Sequence, residues 1–164
     1  MAEYEVVQRE AQAYAAIGVT VSMDRMGAVV PPLNDEVFGW LGQRGVAAVG
    51  PPLWKYDVIS MPGSISLQAG VAIAADTAGD DRVSVGELPA GAYLQTVHRG
   101  HPDTLMQATA DLLAHAAEQG LRFDVSESPE GERWAARLEL YLTDAADEPD
   151  LSAWDTMLAF KLAD

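Results

Sequence analysis

The chain has 164 residues, 49% of them hydrophobic, with 10 Lys and Arg against 25 Asp and Glu and a formal charge of −15. That length holds one domain with a sizeable core, and the negative charge opposes phosphate backbones and anionic lipid, so neither nucleic acid nor a membrane is an expected partner. The chain has no cysteine, acids where a signal peptide needs a basic region, and no apolar run of roughly 18 residues; disulfide and thiolate chemistry are excluded and the reading is of a soluble cytoplasmic protein.

Residues 3–8 and 14–23 read as strands, the second rich in Val, Ile and Thr. A helix is predicted over 33–44, where Val37, Phe38 and Leu41 share a face, Pro31 and Pro32 fit the first turn and Gly45 ends it. A proline-led strand follows Gly50 and puts Trp54, Tyr56 and Val58 on one side. Residues 64–75 alternate Ile65, Leu67, Ala69, Val71 and Ile73 with smaller or polar neighbours, and Gly79-Asp80-Asp81 makes a turn.

The second half repeats that order. Strands at 83–87 and 93–98 precede a helix capped by Asp103 and running through Gln119 on a stripe of Leu105, Ala108, Leu112 and Ala116, ended by Gly120. Further strands are predicted at 121–126, 134–142 and 156–162. The expected fold is therefore α+β: one domain over 1–164, made of duplicated strand-helix-strand-strand halves at about 3–78 and 79–164. Each half is an antiparallel sheet covered by one helix, with a ligand cleft between the halves.

The strand at 134–142 carries the chemistry. Leu138, Leu140 and Leu142 point one way and Arg137, Glu139 and Tyr141 the other. The leucine side, with Trp134, is expected under a helix, and the other side to line the cleft. A carboxylate beside a phenol ring suits a flat, positively charged ligand; an Arg137–Glu139 ion pair on a solvated face is the competing reading.

Other candidates are weaker. His98 and His101, with only Asp103 close by, make a poor zinc set, and His115 is expected to be solvated. Asp144, Asp147, Glu148 and Asp150 lack the glycine and spacing of a calcium loop. Gly63-Ser64 has no second glycine for a nucleophile elbow, and no phosphate-binding loop occurs. No metal and no cofactor are expected.

Several pieces together resemble the GyrI-like effector-binding domains, which also serve as ligand domains of multidrug-responsive transcription regulators. They are Leu88-Pro-Ala-Gly91 followed by Tyr93, the His98-x-Gly100 turn, Gly50-Pro-Pro followed by Tyr56, Glu139-x-Tyr141-x-x-Asp144 and Glu148-Pro149, spanning about residues 3 to 162. The resemblance implies a pocket for large, often cationic, aromatic compounds, with Glu139 as the carboxylate at its floor. It also implies an enzymatic alternative, because some family members open the strained cyclopropane of DNA-alkylating natural products. Gly100-His101-Pro102 and Asp144-Ala145 depart from the family's usual Gly-Pro-Tyr and Asp-Pro, which touches the rim of the pocket. No DNA-binding segment precedes the resemblance, so a domain acting alone or in trans is expected.

The leading expectation is a protein that binds or sequesters planar, cationic or hydrophobic aromatic molecules, as in protection against drugs or toxins, including antibiotic resistance. Glu139 is its anchor, Trp54, Tyr56, Tyr93 and Tyr141 its stacking surface, and Arg137 a further lining residue. The alternative is a hydrolase in which Glu139 activates water and Tyr141 or Tyr93 donates to the developing oxyanion. A module whose acidic surface binds a basic protein is disfavoured, because the charge is spread along the chain.

Overall fold

The computed structural model describes residues 3–60, 63–74, 77–144 and 146–164; Ala75 and Ala145, used in the sequence reading, lie outside them. The elements run β1 (Glu5–Arg9), β2 (Gln12–Ser22), α1 (Met26–Val29), α2 (Pro31–Arg44), β3 (Ala48–Ser60), β4 (Ser64–Ile73), β5 (Ser84–Leu88), β6 (Gly91–Arg99), α3 (Leu105–Glu118), β7 (Val125–Ser128), β8 (Gly131–Tyr141) and β9 (Asp155–Lys161). Both long helices stop at a glycine in the left-handed region, Gly45 at φ 67° and Gly120 at φ 69°, a conformation that lacks the Cβ penalty other residues meet. Pro31 opens α2, where its missing N–H costs nothing. Asp103 does not cap α3: it sits in a 3-10 turn, Pro102–Thr104, where the His101 ring accepts from its backbone N–H.

The strands form one antiparallel sheet in the order β1-β6-β9-β8-β3-β4-β2-β5, with β7 added to β8. Only Glu10 and Ala11 join β1 to β2, and only Pro89 and Ala90 join β5 to β6, although each link connects opposite ends of that order. Such short links force the ends together, and the sheet curls into a half-barrel. Tyr14 of β2 and Tyr93 of β6 consequently share a cluster with Leu53, Ala136, Leu138 and Ala159.

The other face carries the helices. Val37, Trp40 and Leu41 of α2 pack on Ala15, Ile17, Val71 and Ile73, and Leu112 and Ala116 of α3 pack on Leu94, Leu158 and Phe160. Among the described residues no helix is long and apolar enough to cross a membrane.

The outcome corrects the expected faces. Leu138 belongs to the helix-free cluster, and Leu140 packs against it. Arg137 and Glu139 pair across the sheet with Phe160 and Leu158, so they face the helices. Leucine periodicity reports a buried face but not what buries it, and here curling does so. Trp134 is packed under a helix as expected, but it does not share the leucines' side. The β3–β8 register slips between Tyr56↔Arg137 and Val58↔Arg133, and such an irregularity resets the alternation, placing Trp134 with Phe160 and Leu112.

Candidate functional site

Strands β8 and β9 occupy the middle of the sheet. Since α2 rests on β2, β3 and β4 and α3 on β6 and on Leu158 and Phe160 of β9, the stretch of β8 that carries Arg137 and Glu139 lies between the two helices, and this strip is the trough. Cross-strand register lines up side chains there. One row runs Thr96, Leu158, Glu139, Trp54, Ala69 and Ile17. The next runs Leu94, Phe160, Arg137, Tyr56, Leu67 and Val19.

Glu139 is only 9% exposed. The Tyr141 hydroxyl donates to its Oε1 at 2.6 Å. Burial pushes the Glu139 carboxyl above its ordinary value, while hydrogen bonds from the Tyr141 and Tyr56 hydroxyls and the charge of Arg137 pull the other way. Burial beside that carboxylate drives both phenols well above 10. The group therefore holds an acid whose neighbours are phenols, not a paired cation.

Arg137 makes no ion pair with Glu139 among the described residues. Its guanidinium carbon lies 4.7 Å from the Trp134 ring centroid, 4.8 Å from that of Phe160 and 5.7 Å from that of Tyr56. These are cation–π distances. Its Nε is buried without a hydrogen-bond partner, and burial lowers the guanidinium pKa.

Trp54 closes the other side. Its ring meets the Tyr141 ring edge-on at 5.1 Å and 70°, and its Nε1 donates to Asn34 Oδ1 at 2.7 Å. Asn34, buried on α2, donates in turn to the carbonyls of Leu53 at 3.3 Å and Gly70 at 3.1 Å. One amide thus ties helix, strand and indole together. The sequence reading overlooked Asn34. Its signal was a polar residue on the stripe that also carries Val37 and Leu41.

Of the predicted residues, Glu139, Tyr141, Trp54, Tyr56 and Arg137 come together. Tyr93 does not: it is 1% exposed in the helix-free cluster, where its hydroxyl donates to the Pro89 carbonyl at 2.7 Å and burial pushes it up to about 12.

Two cavities, of about 670 and 400 Å³, lie along β6, with Tyr4, Thr96 and Val97 common to both. They do not reach Glu139, which Leu158 separates from Thr96. His98 meets the Thr104 hydroxyl at 2.8 Å in the smaller one. His115 is not simply solvated, since Tyr4 stacks on it at 4.2 Å. Among the described residues no cluster of three or more His, Asp or Glu side chains has the arrangement of a metal site.

The fold is shared with solved structures at low identity. The C-terminal domain of EcmrR is 12% identical, with a TM-score of 0.76 over 99% of this chain and 98% of that one. The chain spans 57% of the EcmrR chain in its DNA complex, at 13% identity and a TM-score of 0.74 over 98% of this chain. SAV2435, bound to tetraphenylphosphonium, is 12% identical with a TM-score of 0.60, covering 98% and 94%. A protein from Listeria innocua described as a hydrolase is 13% identical with a TM-score of 0.62, covering 98% and 92%. Comparison with curated proteins gives no match. Residues 2–153 match the model of the GyrI-like small molecule binding domain, and the chain belongs to that family.

Proposed function

We propose that this protein binds planar, cationic or hydrophobic aromatic molecules in the trough between α2 and α3, with Glu139 as the electrostatic anchor and Trp54, Tyr56 and Tyr141 as the stacking surface. The observation that carries the proposal is a carboxylate 9% exposed whose hydrogen-bonding neighbours are phenols. A buried charge without a cationic partner is costly, and a cationic aromatic ligand relieves that cost while stacking on the rings. The tetraphenylphosphonium bound by SAV2435, a protein of the same fold, supports this ligand class. In this reading residues 1–164 form one domain of two related halves, about 3–78 and 79–164, supported by the strand-helix-strand-strand order in each. It acts in the cytoplasm by sequestering drugs or toxins, and antibiotic resistance is one outcome.

Glu139 is only 9% exposed, bonded to Tyr141 and beside Trp54, so a ligand reaches the carboxylate only when a neighbouring side chain moves. That opening reduces the apparent affinity by the fraction of time the site is open. Titrating a fluorescent aromatic cation into the parent protein and following thermal unfolding with and without it tests the reading. Saturable binding with a raised melting temperature supports it; neither effect across a panel of such cations removes it.

A second reading is hydrolysis of a strained electrophile. The contact that favours it is the 2.6 Å Tyr141–Glu139 bond on a carboxyl whose pKa burial has raised, an arrangement that makes it a stronger base towards water than an ordinary carboxylate. If Glu139 activates water, turnover of a cyclopropane-containing alkylator falls by about 10² to 10⁴ in Glu139→Gln, with binding of the uncharged substrate little changed. A parent protein that forms no water-added product sinks this alternative.

A further inference from the structure

Arg137 departs from what a site for simple cations needs. It stands two positions from Glu139 on the same strand face, partly exposed, with its guanidinium against Trp134, Phe160 and Tyr56. Every ring that could stabilise an incoming cation at this end of the trough already faces a resident one. The Nε donor is buried and unused, and among the described residues the guanidinium donates no hydrogen bond to protein. The backbone positions of alternate residues on a strand are about 7 Å apart, and among the described residues the Arg137 and Glu139 side chains form no ion pair.

We infer that Arg137 is a specificity-determining residue of this site, and that the preferred ligands are aromatic zwitterions, with a delocalised cation for Glu139 and a carboxylate or similar acceptor for Arg137. The inference rests on the binding reading above and narrows it. A purely cationic ligand gains from Glu139 but meets repulsion from Arg137 at short range in a poorly hydrated trough. A zwitterion of matching length satisfies both charges and supplies the acceptor that the guanidinium lacks. Arginine suits this task because its flat cation can stack on rings while its in-plane N–H groups remain directed at a carboxylate. The same stacking fixes the direction in which those donors point, so the acceptor is recognised by position as well as by charge.

Rhodamine B and its ethyl ester test this directly, because they share one cationic ring system and differ in a free carboxylate. The intact chain is titrated with each dye at pH 7.5, by fluorescence anisotropy, alongside Arg137→Gln and Arg137→Met. The methionine variant keeps an apolar filling among the three rings if glutamine disturbs the fold, and thermal melts verify that each variant is folded. The expected result is that the parent prefers the free acid by about ten- to a hundredfold, the scale of one charge-assisted hydrogen bond. Both variants should lose that preference while binding the ester as well as the parent or better. Equal affinity of the parent for the two dyes, or preference for the ester, overturns the inference and leaves the binding reading standing. A preference that survives in the variants removes Arg137 from the role. Failure of both dyes to bind the parent overturns the inference, and the panel of aromatic cations then decides the binding reading separately.

Discussion

Trp54 and Glu139 are direct cross-strand partners in the β3–β8 pairing, so the indole lies beside the carboxylate on the helix-facing side of the sheet. Asn34 fixes that indole from α2, and the ring edge of Tyr141 meets it at 5.1 Å. The anchor and the aromatic wall of the proposed site are thus set by sheet register and one buried amide. Replacing Asn34 by Ala should strand the Trp54 N–H and the carbonyls of Leu53 and Gly70, costing about 1 to 3 kcal/mol of stability. Affinity for a cationic dye should fall as well. Denaturant melts and dye titration measure both; an unchanged melt would mean that the amide network carries no weight.

Glu139→Gln keeps the shape of the anchor and removes its charge. Affinity for a cationic aromatic dye should drop by about 1 to 3 kcal/mol, the scale of a charge-assisted contact. A neutral dye of the same outline should bind almost as before. Equal loss for both dyes points to disturbed packing.

The same substitution has an opposite effect on stability. The Glu139 carboxyl lies above its ordinary 4.5 because of burial, so between that value and its raised one the folded protein holds a proton that the unfolded chain has released. Stability therefore falls as pH rises through this window. Glu139→Gln, which cannot ionise, should melt higher than the parent at neutral pH, with the difference shrinking as pH falls towards 4.5. Calorimetric scans across pH 4 to 8 check the trend, and a pH-independent difference contradicts it.

Leu138 and Tyr141 separate folding from binding. Leu138 is 1% exposed in the helix-free cluster, and Leu138→Ala should cost roughly 2 to 5 kcal/mol with little change in ligand affinity once folded. Tyr141→Ala should chiefly weaken binding, since it removes the hydroxyl bonded to Glu139 and the ring meeting Trp54. A larger stability loss for the tyrosine variant, measured in urea, would contradict this division.

Asp80 offers an acid-side test. Backbone N–H groups of Val83 and Arg82 and the Trp40 indole donate to it, and these bonds, that of Val83 foremost, hold its carboxyl down at about 2 from 3.8. The contribution is complete above 3.8 and is lost as pH falls towards 2. Asp80→Ala should lower the melting temperature at pH 7 and narrow its gap to the parent below pH 3. A gap that is constant from pH 7 to pH 2 would show that Asp80 acts through something other than its charge.

Most strand and helix positions were legible because period-2 and period-3.6 patterns are local, and so was the grouping of Arg137, Glu139 and Tyr141; the strand expected at 121–126 was misplaced, since β7 runs Val125–Ser128. What was not legible depends on events distant in the chain. The face receiving the helices is set by the curl that two short links impose, which no strand encodes alone. Trp134 left the leucines' side through a slip in pairing with β3, some 75 residues earlier in the chain, and Tyr93 was captured by the cluster that includes Tyr14. Asn34 was readable in principle, because a lone polar residue on an apolar helix stripe announces a buried task.

The pairing of β1 with β6, Glu5 opposite Gln95 and Arg9 opposite Gly91, bears on how the chain is made. At about 5 to 20 residues per second, β1 leaves the ribosome roughly 4 to 18 s before its partner has been synthesised. Throughout that interval Val6 and Val7 have no sheet to join, and a short apolar strand in that state can pair with a neighbouring nascent chain. Glu3, Glu5, Arg9 and Glu10 flank the two valines, and charged residues in such positions oppose intermolecular pairing. The charges of Glu3, Glu5, Arg9 and Glu10 are thus expected to oppose pairing of β1 with other chains during synthesis, while in the finished fold Glu5 accepts from Gln95 and Arg9 donates to it.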